Sequence, residues 1–232
     1  EPVFYEPLSK ESLSGVQFVL LAGAAESSER ALKFAPRASR LIDITGALDQ
    51  KREAAFRSPY AEPAPPPDTD AANGRLTVSA HPAAAALALL LARLETAAKI
   101  RSAVVTVFEP ASERGQAGVA ELQKQTAALL TFQKMPSAVY DTQAAYNLLS
   151  AFGEDAPLPL QTVEDRIARH LEALRGEDAP PVSLRLVQAP VFHAYTFNVW
   201  VEFDSKCPAL DKLREALQHP LIDFRPEDTT QP

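Results

Sequence analysis

With a single cysteine, Cys207, in 232 residues, the chain has no internal disulfide, and a reducing, cytoplasmic setting is the expectation. Glycine is scarce at eight residues. Nowhere do three glycines fall in the GxxGxxG spacing that brings a backbone turn against the phosphates of a dinucleotide. Long hydrophobic runs are missing: the longest uncharged apolar stretch, residues 83–92, falls well short of the roughly 20 residues a bilayer span needs, so no membrane partner is expected. No positively charged start leads into an apolar run, so no signal peptide is expected. An excess of basic residues is missing too. The net charge of −7 and pI near 5.2 disfavour nucleic acid, because phosphate contacts need clustered Lys and Arg. The four histidines, His81, His170, His193 and His219, share no ligand spacing with the lone cysteine, which argues against a metal centre.

The chain does have a large apolar fraction, 46%, enough for a sizeable core. Residues 16–22 (VQFVLLA) read as a buried strand, 26–34 as a helix and 40–44 (RLIDI) as a second strand. Strand, helix and strand at this spacing predict a βαβ unit in a parallel sheet. The segment 59–74 carries Pro63, Pro65, Pro66 and Pro67 and reads as a linker, since proline cannot donate to a sheet and restricts its predecessor. Beyond it, 75–80 reads as a strand, 83–98 as an alanine- and leucine-rich helix apolar on nearly all faces, and 102–108 (SAVVTVF) as a β-branched strand. Residues 118–130 predict a helix with Val119, Leu122, Leu129 and Leu130 inward. Residues 162–174 predict another with Ile167, Leu171 and Leu174 inward. Two strands, 182–191 and 194–203, precede a helix at 208–217. In the second strand Tyr195, Phe197, Val199 and Val201 share one face, with Asn198 and Trp200 on the other. The tail from Asp223 is polar and expected to be loose.

Several stretches resemble the aspartate-semialdehyde dehydrogenase family: LSGVQFVLLAG (13–23), LIDITG (41–46), GQAGVAELQKQT (115–126) and VQAPVF (187–192). The resemblance implies an α/β fold: a remnant of a Rossmann-like nucleotide-binding domain over 1–77, then an α+β, mixed-sheet dimerisation domain over 78–232. It also implies NADP chemistry, in which a cysteine thiolate attacks an acyl phosphate and the resulting thioester accepts hydride. A glutamine positions the intermediate, a histidine moves protons and an arginine clamps the substrate carboxylate.

Carried over position by position, the resemblance implies that these residues are gone. The cysteine position falls on Pro82, within His81-Pro82-Ala83, the glutamine position on Glu109, the arginine position on Gln188 and the histidine position on Tyr195. The Usg-like subgroup of the family departs from the enzyme at such positions, and VQAPVF fits it. The chain also lacks the family's opening glycine turn and its closing strand and helix. Its start at Glu1-Pro2, without methionine, suggests a piece of something longer. The expectation is a non-catalytic homologue that dimerises, binds or regulates a partner, and needs no cofactor of its own. The alternative is an active NADP-dependent semialdehyde dehydrogenase with relocated catalytic groups.

Other residues invite functional readings and have plainer ones. His193, two residues before the histidine position, returns to the same strand face, but no nucleophile is at hand for it, so a strand-end histidine is the expectation. His81 is expected to be a helix-entry residue, Cys207 an inert thiol in a connection, and Glu164, Asp165 and Arg166 a solvated helix face.

Overall fold

A computed structural model describes residues 5–61 and 74–225, so most of the proline-rich linker and the end of the polar tail lie outside the described residues. The chain divides into two compact units, Glu1–Leu89 with His170–Glu177, and Leu90–Arg169 with Asp178–Pro232.

The first unit opens with β1 (Phe18–Leu21), α1 (Ala25–Phe34) and β2 (Arg40–Asp43), followed by β3 (Ala54–Arg57) and β4 (Leu76–Ser79). All the pairings are parallel, in the order β1-β2-β4-β3, so the βαβ expectation holds. Leu21, Ala31, Leu41, Leu48, Leu76 and Val78 form the core. β1 is not buried on both faces as its apolar run suggested. It is an edge strand, and Phe18 and Leu20 alternate outward at 62% exposure each. β3 has no counterpart among the sequence-based expectations, because AAFR lacks β-branched residues and comes after a charged Lys-Arg-Glu.

Asp43 closes β2 and organises the turn beyond it. Its buried carboxylate accepts hydrogen bonds from Thr45 N (2.8 Å), Thr45 Oγ1 (2.7 Å), Gly46 N (3.1 Å) and Leu48 N (2.8 Å). Four donors compensate a charge withdrawn from water. Gly46 takes the positive φ, 72°, that this turn requires.

α2 (Pro82–Glu95) comes after β4. The sequence predicts a helix buried nearly all round. In the structure Ala83, Ala84, Leu87, Ala88 and Leu91 form a single buried stripe, while Ala86 and Ala92 face outward. Alanine there supplies helix propensity rather than packing.

The second unit is built on β5 (Ile100–Glu109), β6 (Val182–Gln188) and β7 (Thr196–Phe203). β5 is central, parallel to β6 and antiparallel to β7, so the sheet is mixed. A register shift between Ile100 and Ser102 brings Ile100 and Ala103 to the same buried side. From there Ala103, Val105, Val107 and Glu109 alternate inward. A 3-10 turn (Ala111–Arg114) leads into α3 (Gly115–Thr131). α4 (Leu160–Arg175) precedes β6, and α5 (Leu210–Ala216) comes after β7.

The inward stripe of α3 differs from the sequence expectation. Gly118, Glu121, Leu122, Gln125 and Ala128 are buried, whereas Leu130 is 69% exposed. The reason lies in residues 132–159, which form no helix or named strand. Glu121 accepts Val139 N (2.9 Å) and Tyr140 N (3.2 Å). Gln125 accepts Ala144 N (2.8 Å) and Ala145 N (3.1 Å), and donates to Pro136 O and Thr142 O, both at 2.9 Å. Two helix side chains thus do for this segment what a sheet ladder does elsewhere.

Candidate functional site

Three of the four positions singled out by the family resemblance meet at the carboxyl end of the mixed sheet. Glu109 ends β5 and is fully buried, because strand alternation continues the inward series of Val105 and Val107. Gln188 pairs with it in the β5–β6 register. The buried Gln188 amide donates from Nε2 to Glu109 O (3.0 Å) and to Ala189 O (2.7 Å). Tyr195 precedes β7 and donates its hydroxyl to the Glu113 carboxylate. Pro82 stands in the first unit, as the first residue of α2.

Two residues that sequence patterns did not single out complete the cluster: Glu113 and Arg114 of the 3-10 turn. Arg114 Nη2 lies 2.9 Å from Glu109 Oε1, and both side chains are buried. The guanidinium also covers the Phe152 ring, 4.9 Å from its centroid, and Phe152 meets Tyr140 edge-on at 5.3 Å. Burial pushes the Glu109 carboxyl up to about 7, opposed by Arg114 and reinforced by Glu113. Burial, and then the Glu113 carboxylate, hold the Tyr195 hydroxyl far above its ordinary range. Tyr195 is therefore a fixed donor at neutral pH. The sequence signal for Arg114 was present, since a cation five residues after a strand-end acid is within reach across a tight turn, but only the turn's geometry reveals the pairing.

The entry to α2 is built differently. His81 is the helix N-cap: its Nδ1 accepts Ala83 N at 3.2 Å. The His81 backbone N–H donates to His170 Nδ1 at 2.9 Å. His170 is fully buried, stacks on Phe56 at 4.1 Å and turns Nε2 toward Asp49 Oδ2 at 3.4 Å. The helix-entry reading of His81 holds, and His170 and Asp49, which no sequence motif marked, are its supports. Chemically this end offers a helix start with a buried histidine cap, an exposed proline and no thiol or hydroxyl at positions 81–84.

The remaining candidates are His193, Cys207 and the acids of α4. His193 is exposed beside Ala194, whose φ is 70°. Cys207 is an exposed free thiol after β7. Glu164 corrects the solvated-face reading: it is buried, accepting Leu186 N at 2.6 Å and Arg185 Nη1 at 3.1 Å. A carboxylate on α4 thereby satisfies the edge of β6, a tertiary role that charge spacing cannot reveal. Asp165 is exposed. Among the described residues no group of three or more His, Cys, Asp or Glu could hold a metal ion, and no helix is long and apolar enough to cross a membrane.

A parallel-sheet α/β unit of Rossmann-like character, followed by a mixed-sheet unit with a polar cluster at the end of its central strand, defines a two-domain protein of the semialdehyde dehydrogenase class. No family model matches the chain. It is 31% identical over 198 residues to the USG-1 protein homolog of Pseudomonas aeruginosa, covering 82% of this chain and 56% of that protein. It is 31% identical over 123 residues to the aspartate-semialdehyde dehydrogenase of Rickettsia bellii, covering 53% and 36%. A solved Pseudomonas aeruginosa structure, described as that of a probable aspartate-semialdehyde dehydrogenase, superposes with a TM-score of 0.71 at 29% identity over 88% of this chain and 60% of that one. The chain belongs to the aspartate-semialdehyde dehydrogenase family, and spans little more than half the length of the USG-1 homolog.

Proposed function

We propose that this chain is a non-catalytic member of its family, acting as a homodimer in a cytoplasmic setting and serving a binding or regulatory rather than a chemical role. One observation carries the reading: α2 opens on Pro82 with His81 as its cap, so the position the resemblance assigns to the nucleophile has no group that could form a covalent acyl intermediate. The cluster of Glu109, Gln188 and Tyr195 supports it. Arg114, a cation at that end of β5, is engaged by the chain's own Glu109, and Tyr195 by Glu113. The one thiol, Cys207, is exposed in the connection before α5, and its sulfur meets Pro208 O rather than a base. Nor does this stretch contain a GxxGxxG turn to receive a dinucleotide pyrophosphate.

The test is an NADPH-absorbance assay with an acyl phosphate, run on the chain and on Cys207→Ser. No acyl-phosphate-dependent oxidation of NADPH is expected from either. Steady turnover that survives Cys207→Ser would overturn the reading in favour of an active NADP-dependent enzyme with relocated groups. Pro82→Cys alone should give little, since nucleophile, base and clamp act as a unit.

A further inference from the structure

We propose that Glu109, Arg114, Glu113 and Tyr195 form a proton-sharing latch that fixes the corner between β5 and α3, so that one proton gained or lost changes how firmly that corner is held. The inference stands on how the four groups are arranged and does not depend on whether the chain catalyses anything.

The cluster holds two carboxylates, one guanidinium and one phenol. Tyr195 donates to Glu113, which keeps Glu113 supplied with a donor. Glu109 faces Arg114 at 2.9 Å, yet among the described residues neither Glu109 oxygen receives an aligned hydrogen bond, and Arg114 Nε and Nη1 make none. Buried polar groups are normally satisfied. An ionised Glu109 is a charge withdrawn from water with no aligned hydrogen bond among the described residues, which is costly. A single proton on Glu109 removes that charge and turns the carboxyl into a donor. Gln188 Oε1, on the paired residue of β6, is a buried acceptor without a donor among the described residues. The displacement of the Glu109 carboxyl to about 7 by burial agrees with this balance.

The titratable and charged groups facing Glu109 are Arg114 and Glu113 from the turn, Tyr195 from the β7 side and Tyr140 from the irregular segment. Glu121 of α3 acts on Tyr140 in turn. Three pieces of backbone converge on them. Ala111 N and Ser112 N donate to Val191 O (2.8 Å) and Phe192 O (3.0 Å), tying the 3-10 turn to the β6–β7 connection. Arg114, the residue that precedes α3, covers Phe152 of the irregular segment. A change in charge at Glu109 is therefore felt where the turn, the β6–β7 connection and the irregular segment meet.

The experiment is a carbon-detected NMR titration of glutamate side-chain carboxyls on the whole chain, from pH 4.5 to 8.5, with aromatic ring resonances followed in parallel. Glu109 is expected to titrate with a midpoint near 7, and the rings of Phe152 and Tyr195 to shift with the same midpoint. Glu113→Gln should lower the Glu109 midpoint by removing the neighbouring negative charge. Glu109→Gln confirms the assignment; if it does not fold, through-bond connectivity in the unmodified chain supplies it. A Glu109 midpoint in the ordinary carboxylate range, rings that ignore it, or a midpoint unmoved in Glu113→Gln would each overturn the proposal.

Discussion

At the scale of single residues, the position of Glu109 was legible in the sequence while its company was not. The β-branched run SAVVTVF fixes which residues alternate inward, and extending that alternation by one pair of residues reaches Glu109. An acid on a core face calls for a partner. The partner, Arg114, comes from a 3-10 turn whose course no periodicity encodes. The consequence for stability has a definite sign. Glu109 has a carboxyl pKa raised from 4.5 to about 7 in the folded chain, so the folded state retains a proton that the unfolded state releases. Its contribution is fully present below about 4.5 and is lost as pH rises through about 7. Urea unfolding of the chain and of Glu109→Gln at pH 5 and pH 8 should show the unmodified chain losing stability relative to the variant by up to about 3 kcal/mol. Parallel behaviour of the two would show that Glu109 titrates alike in the folded and unfolded states.

At the scale of elements, strands and helices of strong periodicity were legible in the sequence, and the differences share a physical origin. Leu130 is expected inward on α3 because leucine usually is. It lies outward because Glu121 and Gln125 occupy the inner stripe, bonded to backbone more than ten residues away in sequence. β3 escapes a reading by composition because pairing with β4, rather than its own residues, makes AAFR a strand. The burial of Glu164 likewise depends on β6, which comes later in the chain. Long-range polar contacts of this kind leave no local pattern to read. They also make the helix test sharper than a helix-propensity argument would. Gln125→Leu keeps the volume but removes partners from Ala144 N, Ala145 N, Pro136 O and Thr142 O. Each buried backbone group left unpaired costs about 1–3 kcal/mol. Hydrogen exchange should show Ala144 and Ala145 losing protection while the β5 amides keep theirs. Retained protection at both would mean that the irregular segment is held by its apolar contacts alone, chiefly Tyr140 with Phe152.

At the scale of the whole molecule, the proposed dimer rests on the outer face of the mixed sheet. β7 alternates as its sequence pattern leads one to expect: Phe197, Val199 and Val201 are half-buried, while Asn198 and Trp200 face outward. Trp200 is 72% exposed and sits directly opposite Val104 of β5, itself 53% exposed. Phe108 and Val187, neighbours in the β5–β6 register, extend the same face toward the end of the sheet. A tryptophan and a valine paired on an open sheet face form an apolar surface rimmed by polar groups, here Ser102, Glu202, Arg185 and Asn198, which is the composition of an interaction surface. A two-fold contact would place this face against its own copy, so every residue in it acts twice. An interface of permanent character buries on the order of 2,000 Å² or more in total. Trp200→Glu puts a charge at the centre of that contact in each copy and should dissociate the dimer. The same change leaves the monomer's core untouched, since the Trp200 side chain faces solvent within one chain. Light scattering at micromolar concentration should give twice the chain mass for the unmodified protein and a single chain mass for the variant, with unchanged circular dichroism. A single chain mass for the unmodified protein would remove the dimer and leave Trp200 as an exposed residue of one chain.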